Sequence, residues 1–135
     1  MENSGARNKK IKAEHDDIND PWCIKKKLCQ SDISGGLSRL LLGSDCVESH
    51  ILPFWNDDQI AKIKEGLPVT VLDCNTMTEH EMVFKKWNNG ANVLMKNWVN
   101  DFVKRRELKL GDEIGLFWDN HCSIFKFAVL DQAAS

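Results

Sequence analysis

The apolar residues of this chain occur in short runs separated by polar, turn-forming residues, and this spacing restricts the folds that the chain can adopt. The best run, from Leu37 to Leu42, is interrupted by Ser38 and Arg39. A membrane helix needs about 18 consecutive apolar residues. Short apolar runs bounded by Gly, Asn, Asp and Ser are typical of β-strands joined by turns. The sequence therefore predicts a β-rich chain without a helical membrane span.

Strand patterns recur along most of the chain. Gln30 to Gly36 supply turn formers between the first two patterns, and a polar turn containing Glu79-His80-Glu81 lies between the third and the fourth. Asp119-Asn120-His121 separate the last two, as in a terminal hairpin. The segments with strand patterns are 22–28, 40–42, 69–72, 82–84, 93–95, 114–118 and 124–129.

Helix signals are fewer and shorter. Ser44 is a candidate N-cap for a helix that ends at His50, before Pro53. Asn56 with Gln59 forms a capping-box pattern, closed by Gly66. Asn97 is a candidate N-cap for a third helix, whose apolar stripe consists of Trp98, Val99, Phe102 and Val103. About seven strands with two or three short helices predict a closed or nearly closed β-barrel rather than a parallel α/β sheet.

The ends of the chain differ from its middle. Residues 1–20 are polar, combine a basic cluster at 7–12 with acidic residues, and offer no apolar face to bury. We interpret them as a disordered leader, residues 21–131 as one folded domain, and residues 132–135 as a tail. The chain begins without an apolar signal core, which predicts the cytosol or nucleus and five reduced cysteines.

The formal net charge of −2 argues against a nucleic-acid partner until it is divided by segment. Residues 22–43 carry four cationic side chains and one anionic, and residues 82–106 carry six and one. The acidic side chains are concentrated between these two blocks and after them. A fold that brings the two basic blocks together would give one cationic face, whereas separate blocks would be ordinary solvated surface.

Residues that could support catalysis or hold a metal are sparse. The four histidines, His15, His50, His80 and His121, are scattered, and no cysteine lies two residues from another. Neither a nucleophile-elbow motif nor a phosphate-binding glycine loop is present. The sequence predicts no catalytic residue, metal, cofactor, small-molecule substrate or membrane partner.

The loop from Lys85 to Asn92 is the strongest candidate for nucleic-acid contact. It combines two lysines, Trp87 and three carboxamides, from Asn88, Asn89 and Asn92. Asn can bond to the adenine edge in bidentate fashion and Lys reaches phosphate, although Asn and Gly are equally usual in plain hairpin turns. The other aromatic residues recur at strand or helix spacing and are predicted to form the core: Trp22, Trp55, Phe84, Trp98, Phe102, Phe117, Trp118, Phe125 and Phe127.

Six segments resemble, in order and spacing, the plant B3 DNA-binding domain. They are Leu28-Cys29-Gln30-Ser31-Asp32-Ile33, Leu37-Ser38-Arg39-Leu40-Leu41-Leu42, Lys86-Trp87-Asn88, Val93-Leu94-Met95-Lys96-Asn97-Trp98, Phe102-Val103 and Leu108-Lys109-Leu110-Gly111-Asp112-Glu113-Ile114. The resemblance extends from about Trp22 to Leu130. The Asp20-Pro21-Trp22 entry and the helix pattern at 56–65 look most like the subgroup of stand-alone B3 proteins.

The resemblance implies a seven-stranded open barrel, or pseudobarrel, that clamps the major groove of double-stranded DNA between two arms. Proteins of this family act as transcription regulators in plant nuclei. The first arm would be 30–39 and the second 85–92, which coincide with the two basic blocks.

The same resemblance assigns roles to individual side chains. Arg39 would contact bases or phosphates from the first arm, with Ser31 and Ser38 near the DNA backbone. The second arm, including Asn92, would read bases with the tip formed by Trp87, Asn88 and Asn89. Phosphates would be neutralised by Lys85, Lys86 and Lys96.

Two departures from the family pattern keep other functions open. Many B3 domains carry a cation where this chain has Gly36, and a Pro-Lys pair where it has Gly43-Ser44. Loss of these cations predicts weaker DNA binding. An alternative is a protein-interaction module that acts by pairing with another transcription factor. A further alternative is the specificity domain of a nuclease, because similar pseudobarrels serve restriction enzymes.

Overall fold

A computed structural model describes residues 20–134, which form seven strands and several short helices. The strands are β1 (Ile24–Lys27), β2 (Arg39–Leu42), β3 (Leu67–Asp73), β4 (Thr78–Lys86), β5 (Asn92–Met95), β6 (Glu113–Asp119) and β7 (Ile124–Asp131). The helices are α1 (Gln30–Ile33), α2 (Ser44–His50), α3 (Asp57–Lys62) and α4 (Val99–Lys104), the last wound as a π-helix, with a 3-10 turn at Leu52–Phe54.

All seven strands belong to one sheet, in the order β1-β6-β7-β3-β4-β5-β2. Neighbouring strands are antiparallel except β3 and β7, which run parallel. The sheet curls into a half-barrel whose two edges are β1 and β2. The first predicted arm, residues 30–39, begins just after β1 and ends at the first residue of β2. The prediction of a mainly β, seven-stranded open barrel with short helices is confirmed.

The inside of the curled sheet is an aromatic and aliphatic core. The ring of Trp55 lies edge-on to Phe84 and Trp118, at centroid distances of 5.0 and 5.4 Å. A second group joins Phe102 to Phe127 at 4.7 Å. The prediction that the regularly spaced aromatic residues form the core is confirmed for Trp55, Phe84, Trp98, Phe102, Phe125 and Phe127, which are buried, while Trp22, Phe117 and Trp118 are half-buried at its margin.

The open edges of the half-barrel are joined by one buried carboxylate, that of Asp32 in α1. Its Oδ1 accepts hydrogen bonds from Lys26 Nζ of β1 at 3.0 Å and from Arg39 Nη1 of β2 at 3.2 Å. The backbone nitrogens of Leu41 and Cys29 donate to the same carboxylate at 3.2 and 2.8 Å. Lys26 Nζ also donates to the carbonyl oxygen of Leu41. This cluster of Lys26, Arg39 and the Leu41 and Cys29 amides around Asp32, called the clasp below, holds β1, α1 and β2 together where no backbone ladder joins them.

A second buried carboxylate, Asp73 at the end of β3, fixes the chain after α4. Arg105 Nη2 and Arg106 Nη1 donate to its Oδ2 at 2.7 and 2.6 Å. Burial raises the pKa of Asp73, but the two guanidinium groups outweigh burial and hold the pKa below its ordinary value. These arginines, which belong to the second basic block, are therefore bound to the fold rather than free.

Several predicted elements appear as expected, and some local predictions are wrong. The capping box of α3 is confirmed, since Asn56 Oδ1 accepts from Gln59 N at 2.8 Å. The segment from Gln30 was predicted as a turn, but it begins with helix α1. The prediction that Ser44 caps α2 is wrong, because Ser44 is the first helical residue and Gly43 precedes it without a side-chain cap.

The predicted cap at Asn97 and the predicted turn at 79–81 are also wrong. Asn97 does not cap α4; its φ is +62° and its Nδ2 donates to the carbonyl oxygen of Glu81 at 3.0 Å. Residues 79–81 lie within β4 rather than in a turn. His80 is consequently half-buried, with Nδ1 3.1 Å from Asp101 Oδ2 and its ring against Phe102.

The predicted leader, including the basic cluster at 7–12, lies outside the described residues except for Asp20, which pairs with Lys25 at 2.5 Å. The domain boundaries stay predictions. The five cysteines, all within the described range, are free thiols.

The clasp predicts a large loss of stability in an Asp32→Asn variant. A neutral amide cannot balance the buried Arg39 and the half-buried Lys26, and its NH2 group would face a donor at either oxygen position. Breaking a buried pair of this kind costs about 3 kcal/mol or more. Urea unfolding followed by tryptophan fluorescence measures the change, and Asp131→Asn, at an exposed position, is the matched control. Equal stability of the two variants would contradict the clasp.

The ion pairs of Asp73 with Arg105 and Arg106 predict that the free energy of unfolding decreases at low pH. Because the folded pKa of Asp73 is below its ordinary value of 3.8, its contribution is complete above that pH and is lost as the pH falls through the folded pKa. We expect Asp73→Asn to destabilise the protein by about 3 kcal/mol at pH 7. The difference in free energy of unfolding between the variant and the wild type should be smaller at pH 2 than at pH 7. Urea titrations at these two pH values measure it. Glu79→Gln, which is exposed, should leave the pH dependence unchanged.

Candidate nucleic-acid interface

The loop between β4 and β5 is a tight, internally bonded turn at the end of the β4–β5 hairpin, called the β4–β5 ribbon below, whose strands also pair with β3 and β2. Trp87 N donates to Ala91 O at 2.8 Å and Gly90 N donates to Trp87 O at 2.9 Å. Gly90 has a φ of +90°, a backbone conformation that side chains with a Cβ rarely adopt. The loop therefore presents its side chains from a defined backbone.

The two asparagines at the tip have different environments. Asn89 Oδ1 accepts from Ala91 N at 3.0 Å, so this carboxamide oxygen is used to hold the loop. Asn88 is exposed, and none of the hydrogen bonds within residues 20–134 involves its side chain. Asn88 thus offers both a donor and an acceptor to an outside partner, whereas Asn89 offers its Nδ2 group.

Trp87 connects the two predicted arms. Its ring is half-buried, and Arg39 Cζ of β2 lies 5.9 Å from the ring centroid. A guanidinium at this distance attracts the face of an indole ring. The same guanidinium belongs to the Asp32 clasp. The clasp, Arg39 and Trp87 therefore form one continuous contact from the edge strand to the loop.

Burial separates the predicted contact residues into two groups. Arg39 is 7% exposed and Asn92 is 4% exposed, so in this structure neither side chain projects to the surface. Ser31 and Ser38 are half-buried at the two ends of the first arm. The exposed or partly exposed group consists of Lys96, which follows β5, and of five residues of the second arm, Lys85, Lys86, Trp87, Asn88 and Asn89.

The tip of the first arm, residues 34–38, is small and carries little charge. Ser38 N donates to Ser34 O at 3.3 Å, and Gly35 and Gly36 lie exposed within that turn. Leu37 is 51% exposed. A Cβ on Gly36 would meet only Ser34 Oγ, at 3.7 Å, so the backbone there tolerates a side chain. The absence of a cation at this position is a property of the sequence and not a steric requirement.

Free positive charge is distributed unevenly between the two basic blocks. In the first block, Lys25, Lys26 and Arg39 form ion pairs with Asp20 or Asp32. In the second, Lys85, Lys86 and Lys96 occur in none of the ion pairs found between residues 20 and 134. The fold thus pairs three of the four cations of the first block with Asp20 or Asp32, whereas these three lysines of the second block are not paired in this way.

The second arm borders a surface cleft that includes a residue absent from the sequence prediction. Its lining consists of Lys64, Lys85, Lys86, Trp87, Asn88 and Asn89. Lys64 follows α3, in a segment whose charge is predominantly acidic, and this composition concealed it. Its position two residues before Gly66, at the end of the predicted helix, was the available signal.

Other classes of site find no support in the described part of the chain. Within residues 20–134, no group of three or more His, Cys, Asp or Glu side chains is arranged to hold a metal ion. None of the helices described there is long and apolar enough to cross a membrane.

Comparison with known proteins gives consistent matches along the folded region. A family profile described as "B3 domain-containing protein At5g26805, C-terminal domain" matches residues 22–130. The putative B3 domain-containing protein At1g78640 of Arabidopsis thaliana is 44% identical over 108 residues, which are 77% of this chain and 22% of that protein. The Arabidopsis B3 domain-containing protein At1g10455 is 36% identical over 109 residues, 80% of this chain and 70% of that protein.

Solved structures match the fold as well. The Arabidopsis FUS3–DNA complex aligns with a TM-score of 0.65 and 24% identity, covering 82% of this chain and 98% of that chain. The complex of the Arabidopsis thaliana transcription factor LEC2 with DNA aligns with a TM-score of 0.62 and 24% identity, covering 82% and 94%. With the family profile spanning nearly all of the half-barrel, these matches show that the chain belongs to the family of B3 domain-containing proteins.

Proposed function

We propose that this chain binds double-stranded DNA in the major groove, reads sequence mainly with its second arm, and regulates transcription in the plant nucleus without catalysis. The observation that carries the proposal is the exposed tip of the β4–β5 ribbon, where Asn88 has no hydrogen-bond partner among residues 20–134 and Lys85 and Lys86 take part in none of the ion pairs found there. Relatives named as B3 domain-containing proteins, and structural neighbours solved as DNA complexes, support it.

The geometry of the ribbon fits this role. The major groove of B-DNA is about 12 Å wide and admits a two-stranded β-ribbon. The carboxamide of Asn88 matches the N6/N7 edge of adenine, while Lys85 and Lys86 would contact phosphates that fix the register. Asn89, whose oxygen holds the loop, would contribute its Nδ2 as a donor. Lys96, Ser31 and Ser38 would lie along the DNA backbone.

The two buried members of the predicted set receive a different role in the proposal. Arg39 would support Trp87 from below rather than enter the groove, because its guanidinium is held by Asp32. Asn92, opposite Lys86 in the β4–β5 register, would fix the base of the loop. Both side chains then position the reading residues instead of contacting bases.

A protein-interaction module is the second candidate function. It is favoured by the first arm, whose one cation, Arg39, is paired with Asp32 and whose tip carries Gly35, Gly36 and the exposed Leu37. In that case the arm would contact another transcription factor. The two candidates differ in whether the chain alone selects a DNA sequence.

Selection from a pool of random duplexes tests sequence reading directly. We expect the purified chain to enrich one motif and to bind it with submicromolar affinity at low salt. Trp87→Ala or Asn88→Ala should abolish the sequence preference, because these changes remove the reading group or its support, while binding through phosphates persists. Met77→Ala, at the far end of β4, is the control. A pool without enrichment would favour the interaction module.

Adding a cation to the first arm should strengthen binding. Gly36→Lys is sterically tolerated and places a cation where relatives often have one. One additional phosphate contact steepens the slope of log affinity against log salt by about 0.9. Fluorescence anisotropy over a salt series measures the slope. Met77→Lys adds the same charge at the opposite end of β4 and should leave it unchanged; equal effects of the two variants would argue against a DNA-facing first arm.

A further inference from the structure

The turn after α3 brings a lysine from the acidic middle segment to the basic loop. Ile63 is buried in the core, and its carbonyl oxygen accepts from Lys86 N at 2.8 Å. The turn closes with Gly66 N donating to Lys62 O at 2.8 Å, and Gly66 has a φ of +116°. Lys64 is therefore held next to the end of β4 by backbone bonds on both sides.

Lys64 shares two neighbouring clefts with the second arm. One cleft is lined by Lys64, Lys85, Lys86, Trp87, Asn88 and Asn89, and a smaller one adds Gly90 to part of this set. None of the ion pairs found between residues 20 and 134 includes Lys64. Three unpaired ammonium groups around one cleft repel one another, and an anion placed between them would relieve this repulsion.

The basic surface continues beyond this cleft. Lys85 also lines an adjoining depression with Lys96, Met95 and Val83, in which Glu65 is the one anionic side chain. Lys85 is thus common to the cleft that Lys64 and Lys86 line and to the depression that Lys96 lines. Several cations beside a base-reading loop suit the regularly spaced phosphates of a DNA strand.

We propose that Lys64 is a phosphate-binding residue, and that the turn after α3 acts as an additional contact beside the second arm. The proposal rests on DNA binding as proposed above. Its chemistry is a single ammonium–phosphate contact, which adds affinity and carries no sequence information. This contact offsets part of the charge that the first arm lacks at Gly36 and Ser44.

The test compares substitutions of neighbouring lysines in a salt series with the motif recovered by duplex selection. Lys64→Gln should reduce the slope of log affinity against log salt by about 0.9, with the selected motif unchanged. Lys62→Gln makes the same change in α3 outside the cleft and should keep the wild-type slope. Lys64→Arg should keep the slope too, since it retains the charge.

A second substitution reverses the sign of the effect. Glu65→Gln removes the carboxylate beside Lys85 and Lys96 and should tighten binding at low salt. Lys64 and Glu65 are exposed, so both variants should retain the wild-type melting temperature, which excludes an effect through folding.

The outcomes separate the two proposals. A wild-type chain that fails to bind any duplex overturns both. A wild-type chain that binds, with Lys64→Gln and Lys62→Gln indistinguishable in slope, overturns the role of Lys64 and leaves DNA binding intact. A Lys64→Gln variant that changes the selected motif also overturns it, because a phosphate contact does not alter base preference.

Discussion

The carboxylate of Asp32 is the interaction on which the interface depends. A seven-stranded sheet that curls without closing leaves two edges, and Asp32, Lys26 and Arg39 link them by side-chain hydrogen bonds. Because Lys26, Arg39 and the Leu41 amide converge on this one group, the first arm is tied to both edges. The contact of Arg39 with the ring of Trp87 extends the constraint to the second arm. A single buried anion therefore supports both arms.

The cationic side chains of the two basic blocks fall into two groups: one forms ion pairs within the fold, and the other lies at the surface. Three of the four cations of the first basic block form ion pairs with Asp20 or Asp32. The two arginines of the second block form ion pairs with Asp73. Among the lysines that occur in no ion pair between residues 20 and 134, four lie on and beside the β4–β5 ribbon, namely Lys64, Lys85, Lys86 and Lys96. This division explains how a chain with a net charge of −2 can present a cationic surface at one place.

The sequence predicted the strands, the core aromatics and the loop at Trp87 well, because period-two patterns and turn residues are local signals. It did not predict contacts between residues that are distant in the chain. Nothing near Arg39 in the chain shows that its guanidinium bonds to Asp32 and lies against Trp87, and its contact with DNA stays a prediction. Asn97 has a cap-like pattern, yet its amide bonds to Glu81 of another strand. The position of Lys64 beside the second arm follows from the hydrogen bond between Lys86 N and Ile63 O, which the sequence does not indicate.

The strand order has a consequence for how the protein is made. β1 reaches the rest of the sheet only through β6, and β6 joins the middle strands only through β7, which pairs in parallel with β3. During synthesis the first strand must wait for the last hairpin, since contacts between distant parts of a chain form late. Until β6 has left the ribosome, β1 has no strand to pair with, and the β1–β6 pair joins the rest of the sheet only when β7 has followed. The end of the chain thus completes the arm at its beginning.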